Sequence, residues 1–390
     1  MTSIQSHIQY VYDNAPAIRG IMDEAGVNPA DIHTLDDLQK IPVTSKDKLQ
    51  QMQQENPPFG GFVTVPIKKL QRVYLSPGPI YDPHGYGDSA AQDAAKEAFT
   101  KAGFTDDDLV LNTFLYHMVP AGLLMDEALA TIGATIIPMG PGNVEVQIKV
   151  IMDLQTTAYV GTPSFLEMIL AKAEEMGISR LPIKKAFFSA EPYTPSQRQK
   201  FEGTYGMVTS QAYATADLGI LAYEIPGKPG LYVPQNVIIQ VCSPETGELL
   251  TEGELGEVVV TSLSHTYPLI RFGTGDLSIM KTVTHEDGTT QKWLQGWMGR
   301  SGEAIKVRGM FLHPNALRAA SAAFPAIKQI QAVVGRDGAR DTVTLHVVGD
   351  VNPDELAKAV KETARLSIDS VKVVESIEGT RLVRDTRTFD

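Results

Sequence analysis

The chain has 390 residues, 43% hydrophobic and 21% charged, which is the balance of a soluble globular protein with room for two or three compact units. Lys and Arg total 34 against 46 Asp and Glu, and the net charge of −12 disfavours nucleic acid or an anionic membrane as a partner. The single Cys242 excludes an internal disulfide or a multi-thiolate zinc site, no apolar run is long enough to span a membrane, and a cytoplasmic protein is expected.

Apolar positions Ile8, Val11, Tyr12, Ala15 and Ile18 recur at helical spacing and predict one helix over residues 4–25. Thr34 and Asp37 read as the cap of a short helix, and residues 41–44 as an extended linker leading into a helix capped by Thr44-Ser45-Lys46-Asp47. Strands are then predicted at 109–114, 135–138, 158–160 and 185–188, with helices at 121–132, 144–154, 163–176 and 195–205 between and after them. That alternation predicts parallel sheet built from βαβ units. Between Leu231 and Met280 the pattern changes to alternating residues and turns, which predicts an antiparallel segment. After Gly299 a small α+β pattern restarts, with strands at 327–334, 342–348 and 370–374 and helices at 314–323 and 353–366.

Several passages, in chain order, resemble the phenylacetate–coenzyme A ligase group of the adenylate-forming superfamily. They are His7-Ile8-Gln9-Tyr10 through Lys46, Thr131 to Pro138, Gly161-Thr162-Pro163-Ser164, Ser189-Ala190-Glu191-Pro192, Pro268 to Arg271 with Asp276, and Gly299-Arg300. The resemblance implies an α/β fold, with a large adenylate-forming domain over residues 1–298 made of βαβ-type sheets and an antiparallel subdomain. A small mobile α+β domain over 299–390 would follow. It implies an acid–coenzyme A ligase: a carboxylate attacks ATP to give an acyl-adenylate and pyrophosphate, and the thiol of coenzyme A then displaces AMP. ATP or AMP, Mg²⁺, coenzyme A and a small carboxylic acid would be its ligands, and a homodimer its possible assembly.

The resemblance also implies roles for single residues. Asp276 would accept the ribose hydroxyls, where a charged acceptor forms hydrogen bonds about twice as strong as neutral ones. Arg300 would reach ribose or phosphate oxygens with its planar fork. Ser189, Ala190, Glu191 and Pro192 would form the adenine-side loop. Tyr213 would stack on adenine, or else serve as a core aromatic. The run Tyr213-Ala214-Thr215-Ala216-Asp217 sits where the family has Tyr, Gly, a variable residue, Ser or Thr, and Glu, so Thr215 and Asp217 are catalytic candidates and Asp217 would help hold Mg²⁺. Lys306, Arg308 and Gly309 match the loop that serves the thiol step. Tyr116, His117, Met118, Gly161, Thr162 and Pro163 are the candidates for an acyl pocket suited to an aromatic or medium-sized acid.

Three departures stand out. The phosphate loop corresponds to Ser76-Pro77-Gly78-Pro79-Ile80-Tyr81-Asp82-Pro83: Ser76, Gly78 and Pro83 match, the Thr residues and the Lys are gone, and two prolines have no N–H to donate. Asp82 there would set a negative charge against phosphates. The family's C-terminal Gly-Lys is Gly379-Thr380-Arg381, leaving Arg381 to supply positive charge, and Gly302 occupies a hinge position. Because the first two departures fall on ATP cleavage, an alternative is a non-adenylating protein that holds AMP, acyl-adenylate or acyl-coenzyme A. A third is an acyltransferase or amide-forming relative that uses a preformed adenylate.

Overall fold

Four-residue runs that bury nearly every side chain, such as Leu109–Asn112, Ala158–Gly161 and Lys185–Phe188, cannot lie on a sheet surface and need cover on both faces. In the computed structural model they form the parallel half of one large sheet, with Thr135–Pro138 at its edge and Val208–Thr215 at the other end. The structure describes residues 4–76, 79–284, 288–301, 305–308, 310–312, 314–338, 340–364, 366–377, 379 and 381–388. At Val208–Thr215 the sheet turns antiparallel and continues through Gly219–Tyr223, Leu231–Tyr232, Thr290–Leu294, Phe272–Thr284, Leu255–Thr261 and Ile238–Cys242. Aromatic residues fill the layers beside the parallel strands: Phe99, Phe104 and Phe187 on one side, Tyr159, Phe188 and Phe201 on the other.

The chain divides into two compact units, Met1–Gly299 and Arg300–Asp390. In the second, Ile327–Asp337 and Arg340–Gly349 pair antiparallel and carry the parallel neighbours Ser370–Val373 and Val383–Asp385. The helices Pro314–Ser321 and Pro353–Ala364 contribute Leu317, Leu356 and Val360 to that unit's own core.

Several elements differ from the sequence expectation. The helix over 4–25 is two helices, Ile4–Asn14 and Pro16–Glu24, because Ala15 is forced extended before Pro16. The predicted strand 109–114 stops at Asn112, whose side-chain oxygen accepts from Phe114 N at 3.1 Å and turns the chain. The predicted helix 195–205 begins with a capping box at Thr194 and Gln197 but widens into a π-turn over Gln199–Thr204. The segment containing the degenerate phosphate loop is a hairpin, Leu70–Ser76 with Ile80–Gly85, and the following helix Ala90–Lys101 was not anticipated.

Arg271 fastens the N-terminal segment to the antiparallel half. It is 1% exposed and sits at φ 47°. Its guanidinium donates to Gln39 O, Ile41 O, Gln240 Oε1, Gly247 O and Cys242 Sγ at 2.6–3.1 Å. One planar fork thus satisfies three backbone carbonyls, that of Ile41 in a fully buried bond. Thr44–Ser45 pairs with Phe272–Gly273 beside it, and Ser45 caps the helix Lys46–Glu55 by accepting from Lys48 N.

Candidate active site

The parallel strands bring the singled-out segments to one end of the sheet. Thr162 and Pro163 follow Ala158–Gly161, Ser189 to Pro192 follow Lys185–Phe188, and Tyr213 to Asp217 close Val208–Thr215. In open α/β sheets, ligands bind beyond these carboxyl ends of the strands. Asp276 arrives from the antiparallel half, on Phe272–Thr284. Its flanking glycines have a steric reason: a Cβ on Gly273 would meet Glu257 Oε1 at 2.8 Å, and Gly275 takes φ 75° with its N–H donating to the same oxygen.

Asp276 is 5% exposed and both its oxygens are engaged. Tyr213 Oη donates to Oδ2 at 2.9 Å and Trp297 Nε1 donates to Oδ1 at 3.0 Å. The structure therefore joins two residues that the sequence reading put in one site, and gives Tyr213 a polar task at its hydroxyl. Trp297 was missed. As one of two tryptophans in the chain, just ahead of Gly299-Arg300, it carried a signal that could have been used.

Ser189 Oγ donates to Ala212 O at 2.9 Å, which ties this loop to the strand carrying Tyr213. Ala190 is held at φ 73°, Glu191 accepts from Ser164 Oγ at 2.6 Å, and Pro192 is exposed. Gly161 lies against Thr113 so closely that any Cβ would overlap its hydroxyl. Thr162 caps the helix Pro163–Glu175 through Phe165 N. Tyr116 is half-buried, its hydroxyl donating to Asp126 Oδ2 and accepting from Asn112 Nδ2, each at 2.8 Å; burial and the Asp126 carboxylate push the phenol up. His117 and Met118 are exposed, Met118 with φ 61°.

A cavity of ≈ 80 Å³ lies elsewhere, bounded by His84, Asp88, Leu124, Asp217, Asn236 and Tyr267 among others, and none of the six acyl-pocket candidates lines it. Burial lowers the His84 imidazole and favours its neutral form.

The phosphate-loop segment needs a correction. Ser76 is buried and donates to Ile80 O at 3.3 Å, closing the hairpin, while Pro77 and Gly78 lie outside the described residues. Asp82 does not present a charge to solvent: it is 0% exposed, and neither carboxylate oxygen has a hydrogen-bond partner among the described residues. Burial, with the Asp217 carboxylate beside it, pushes the Asp82 carboxyl well above the ordinary Asp range, so its neutral form is favoured. Asp217 Oδ2 accepts from Lys46 Nζ at 2.9 Å, whereas Asp217 Oδ1 and Thr215 Oγ1 are buried without a partner among the described residues. Sequence reading had placed Lys46 in a helix cap and at the end of the family-like N-terminal passage, with no partner assigned. Its partner is 171 positions away, a separation no local pattern reveals.

In the second unit, Arg308 sits at φ 50° and its Nη2 donates to Ser367 O at 2.6 Å and Asp369 Oδ2 at 3.0 Å. Its fork thus ties the turn after Ile305–Val307 to the segment before Ser370–Val373. Lys306 lies in Ile305–Val307, with its side chain outside the described residues, as are Gly302, Gly309 and Thr380 altogether. Arg381 is exposed and its carbonyl accepts from Gln331 Nε2 at 2.8 Å. Arg300 opens this unit and is partly exposed.

The AMP-binding enzyme family matches residues 88–266. The phenylacetate–coenzyme A ligase of Aromatoleum evansii is 30% identical over 361 residues, covering 89% of this chain and 80% of that protein. The chain belongs to the phenylacetate–coenzyme A ligase family. The family's enzyme from Thermus thermophilus is 28% identical over 353 residues, covering 87% of this chain and 78% of its own length. Among solved structures, a 2-hydroxyisobutyryl-CoA ligase in complex with 2-HIB-AMP and CoA matches with a TM-score of 0.89 at 24% identity, over 98% of this chain and 88% of that one. The amide bond synthetase McbA from Marinactinospora thermotolerans matches with a TM-score of 0.58 at 19% identity, over 79% of this chain and 65% of its own. At these identities the structural likeness carries the fold.

Proposed function

We propose that the protein is an AMP-forming acid–coenzyme A ligase: it activates a carboxylic acid as an acyl-adenylate and passes the acyl group to coenzyme A. The observation that carries this reading is the Asp276 carboxylate, buried at the carboxyl end of the sheet and bonded to Tyr213, in a chain of this family. Asp276 accepts the ribose hydroxyls, and the loop Ser189–Ala190–Glu191–Pro192 borders the adenine. The acid needs no general base, because its carboxylate is already ionised at neutral pH. Catalysis then rests on positioning and on electrostatic stabilisation of charge as the α-phosphoryl group is transferred.

This reading assigns the cations for that charge to Arg300 and Arg381, with Lys306, Arg308 and Gly309 serving the thiol step. Asp217 Oδ1 is buried with no hydrogen-bond partner among the described residues, which suits a hard cation, so Asp217 is the residue that would hold Mg²⁺, with Thr215 adjacent. When bound, the ion would offset phosphate charge. The same reading includes a homodimer, which sedimentation of the pure protein tests.

One observation favours a second reading, a protein that holds AMP, acyl-adenylate or acyl-coenzyme A without cleaving ATP. The hairpin at the phosphate-loop position buries an acid, Asp82, in place of a lysine. Acid-dependent exchange of labelled pyrophosphate into ATP separates the two, because it reports adenylation without any thiol. The ligase gives exchange with at least one acid in a panel of aromatic and short aliphatic acids. AMP binding with no exchange across the panel sinks the ligase reading.

A further inference from the structure

A ribose offers two adjacent hydroxyl donors, and a carboxylate can accept one on each oxygen. On Asp276, however, Oδ2 is held by Tyr213 and Oδ1 by the indole N–H of Trp297. The backbone beside the indole is fixed: Met298 N donates to Leu277 O and Leu277 N to Gly299 O, each at 2.9 Å, so the chain on the far side of Trp297 runs alongside Asp276. On the near side, Ser278 Oγ donates to Gly296 O at 2.7 Å. Gly296 and Gly299 take φ 123° and 133°, a region open to glycine and closed to most side chains, so Trp297 is carried on a short arm bounded by two permissive joints. Trp297 is 39% exposed and belongs to none of the buried hydrophobic clusters.

We propose that Trp297 gates the nucleotide seat: its N–H occupies the Asp276 oxygen that a ribose hydroxyl would take, and a nucleotide binds by displacing it. This rests on the ribose role of Asp276 given above. The exchange trades one N–H···O⁻ bond for one O–H···O⁻ bond of the same charge-assisted class. Its net yield is therefore small, and affinity is held below what an open carboxylate would give. A merely structural indole predicts the opposite sign, because removing a packing and hydrogen-bonding group would weaken the site.

The test is AMP titration calorimetry on the full-length wild type and on Trp297→Phe, which keeps the ring and removes the donor, with Asp276→Asn as the reference. Wild type should bind AMP and Asp276→Asn should bind far more weakly. Trp297→Phe should bind more tightly than wild type by about ten- to a hundredfold, the scale of one hydrogen bond to a charged group. As a second readout, Trp293→Phe leaves Trp297 as the sole indole, and its emission should shift as AMP is added. Unchanged or weaker AMP binding by Trp297→Phe, alongside a crippled Asp276→Asn, overturns the gate and leaves the ribose assignment standing. If Asp276→Asn binds AMP as well as wild type, the ribose assignment fails and takes the gate with it.

Discussion

Asp82 shows how much one residue's surroundings can change its meaning. In the sequence it is an acid set against phosphates, whereas in the fold it is a buried carboxyl beside Asp217 with its proton favoured. A carboxyl whose folded pKa lies above its unfolded value binds its proton more tightly when folded. Its contribution to stability is full below the ordinary Asp range and is lost as pH rises toward the raised value. Asp82→Asn keeps the neutral shape and removes that loss. The urea midpoint of the variant should therefore fall less than that of wild type between about pH 4 and pH 8; parallel profiles would mean that Asp82 titrates normally. Contiguous motifs made candidates such as Asp276 and Ser189 legible in the sequence. Partners brought in by the fold were not, as the Lys46–Asp217 pair and the indole on Asp276 show.

Among the elements, those with simple periodicity were read nearly to the residue. The helix Ala121–Ile132 and the strands Thr135–Pro138 and Lys185–Phe188 fall where apolar spacing put them. The failures have local causes: Pro16 splits a helix whose apolar face runs on, and the π-turn Gln199–Thr204 keeps helical periodicity while changing its hydrogen bonding. The hairpin Leu70–Ser76 with Ile80–Gly85 hid behind a family loop pattern that this chain does not keep. Arg271 makes its prediction at this scale, since it joins elements far apart in the chain. Arg271→Ala strands the buried Ile41 carbonyl and removes the donors to Gln39 O and Gly247 O, and should cost about 1–3 kcal/mol in chemical denaturation. Arg271→Lys should recover only part of that, because an ammonium cannot span the fork's separate acceptors. Full stability in the lysine variant would contradict the stapling role.

For the whole molecule, βαβ alternation was enough to put a parallel sheet at the centre, and the change of pattern after Leu231 marked the antiparallel extension. The chain's division into Met1–Gly299 and Arg300–Asp390 gives the ligase reading its two working parts, with the nucleotide seat on the first. The acyl site was the least legible feature. Pocket walls come from side chains that no single segment holds together, and the six candidates named from position do not enclose the ≈ 80 Å³ cavity. The measurement that bears most directly on the function is quantification of AMP and acyl-coenzyme A formed by the pure protein from ATP, Mg²⁺, coenzyme A and a panel of acids. The ligase account predicts AMP and thioester in equal amounts, both dependent on the same acid. AMP that binds but is never formed from ATP, with no thioester from any acid, would contradict it.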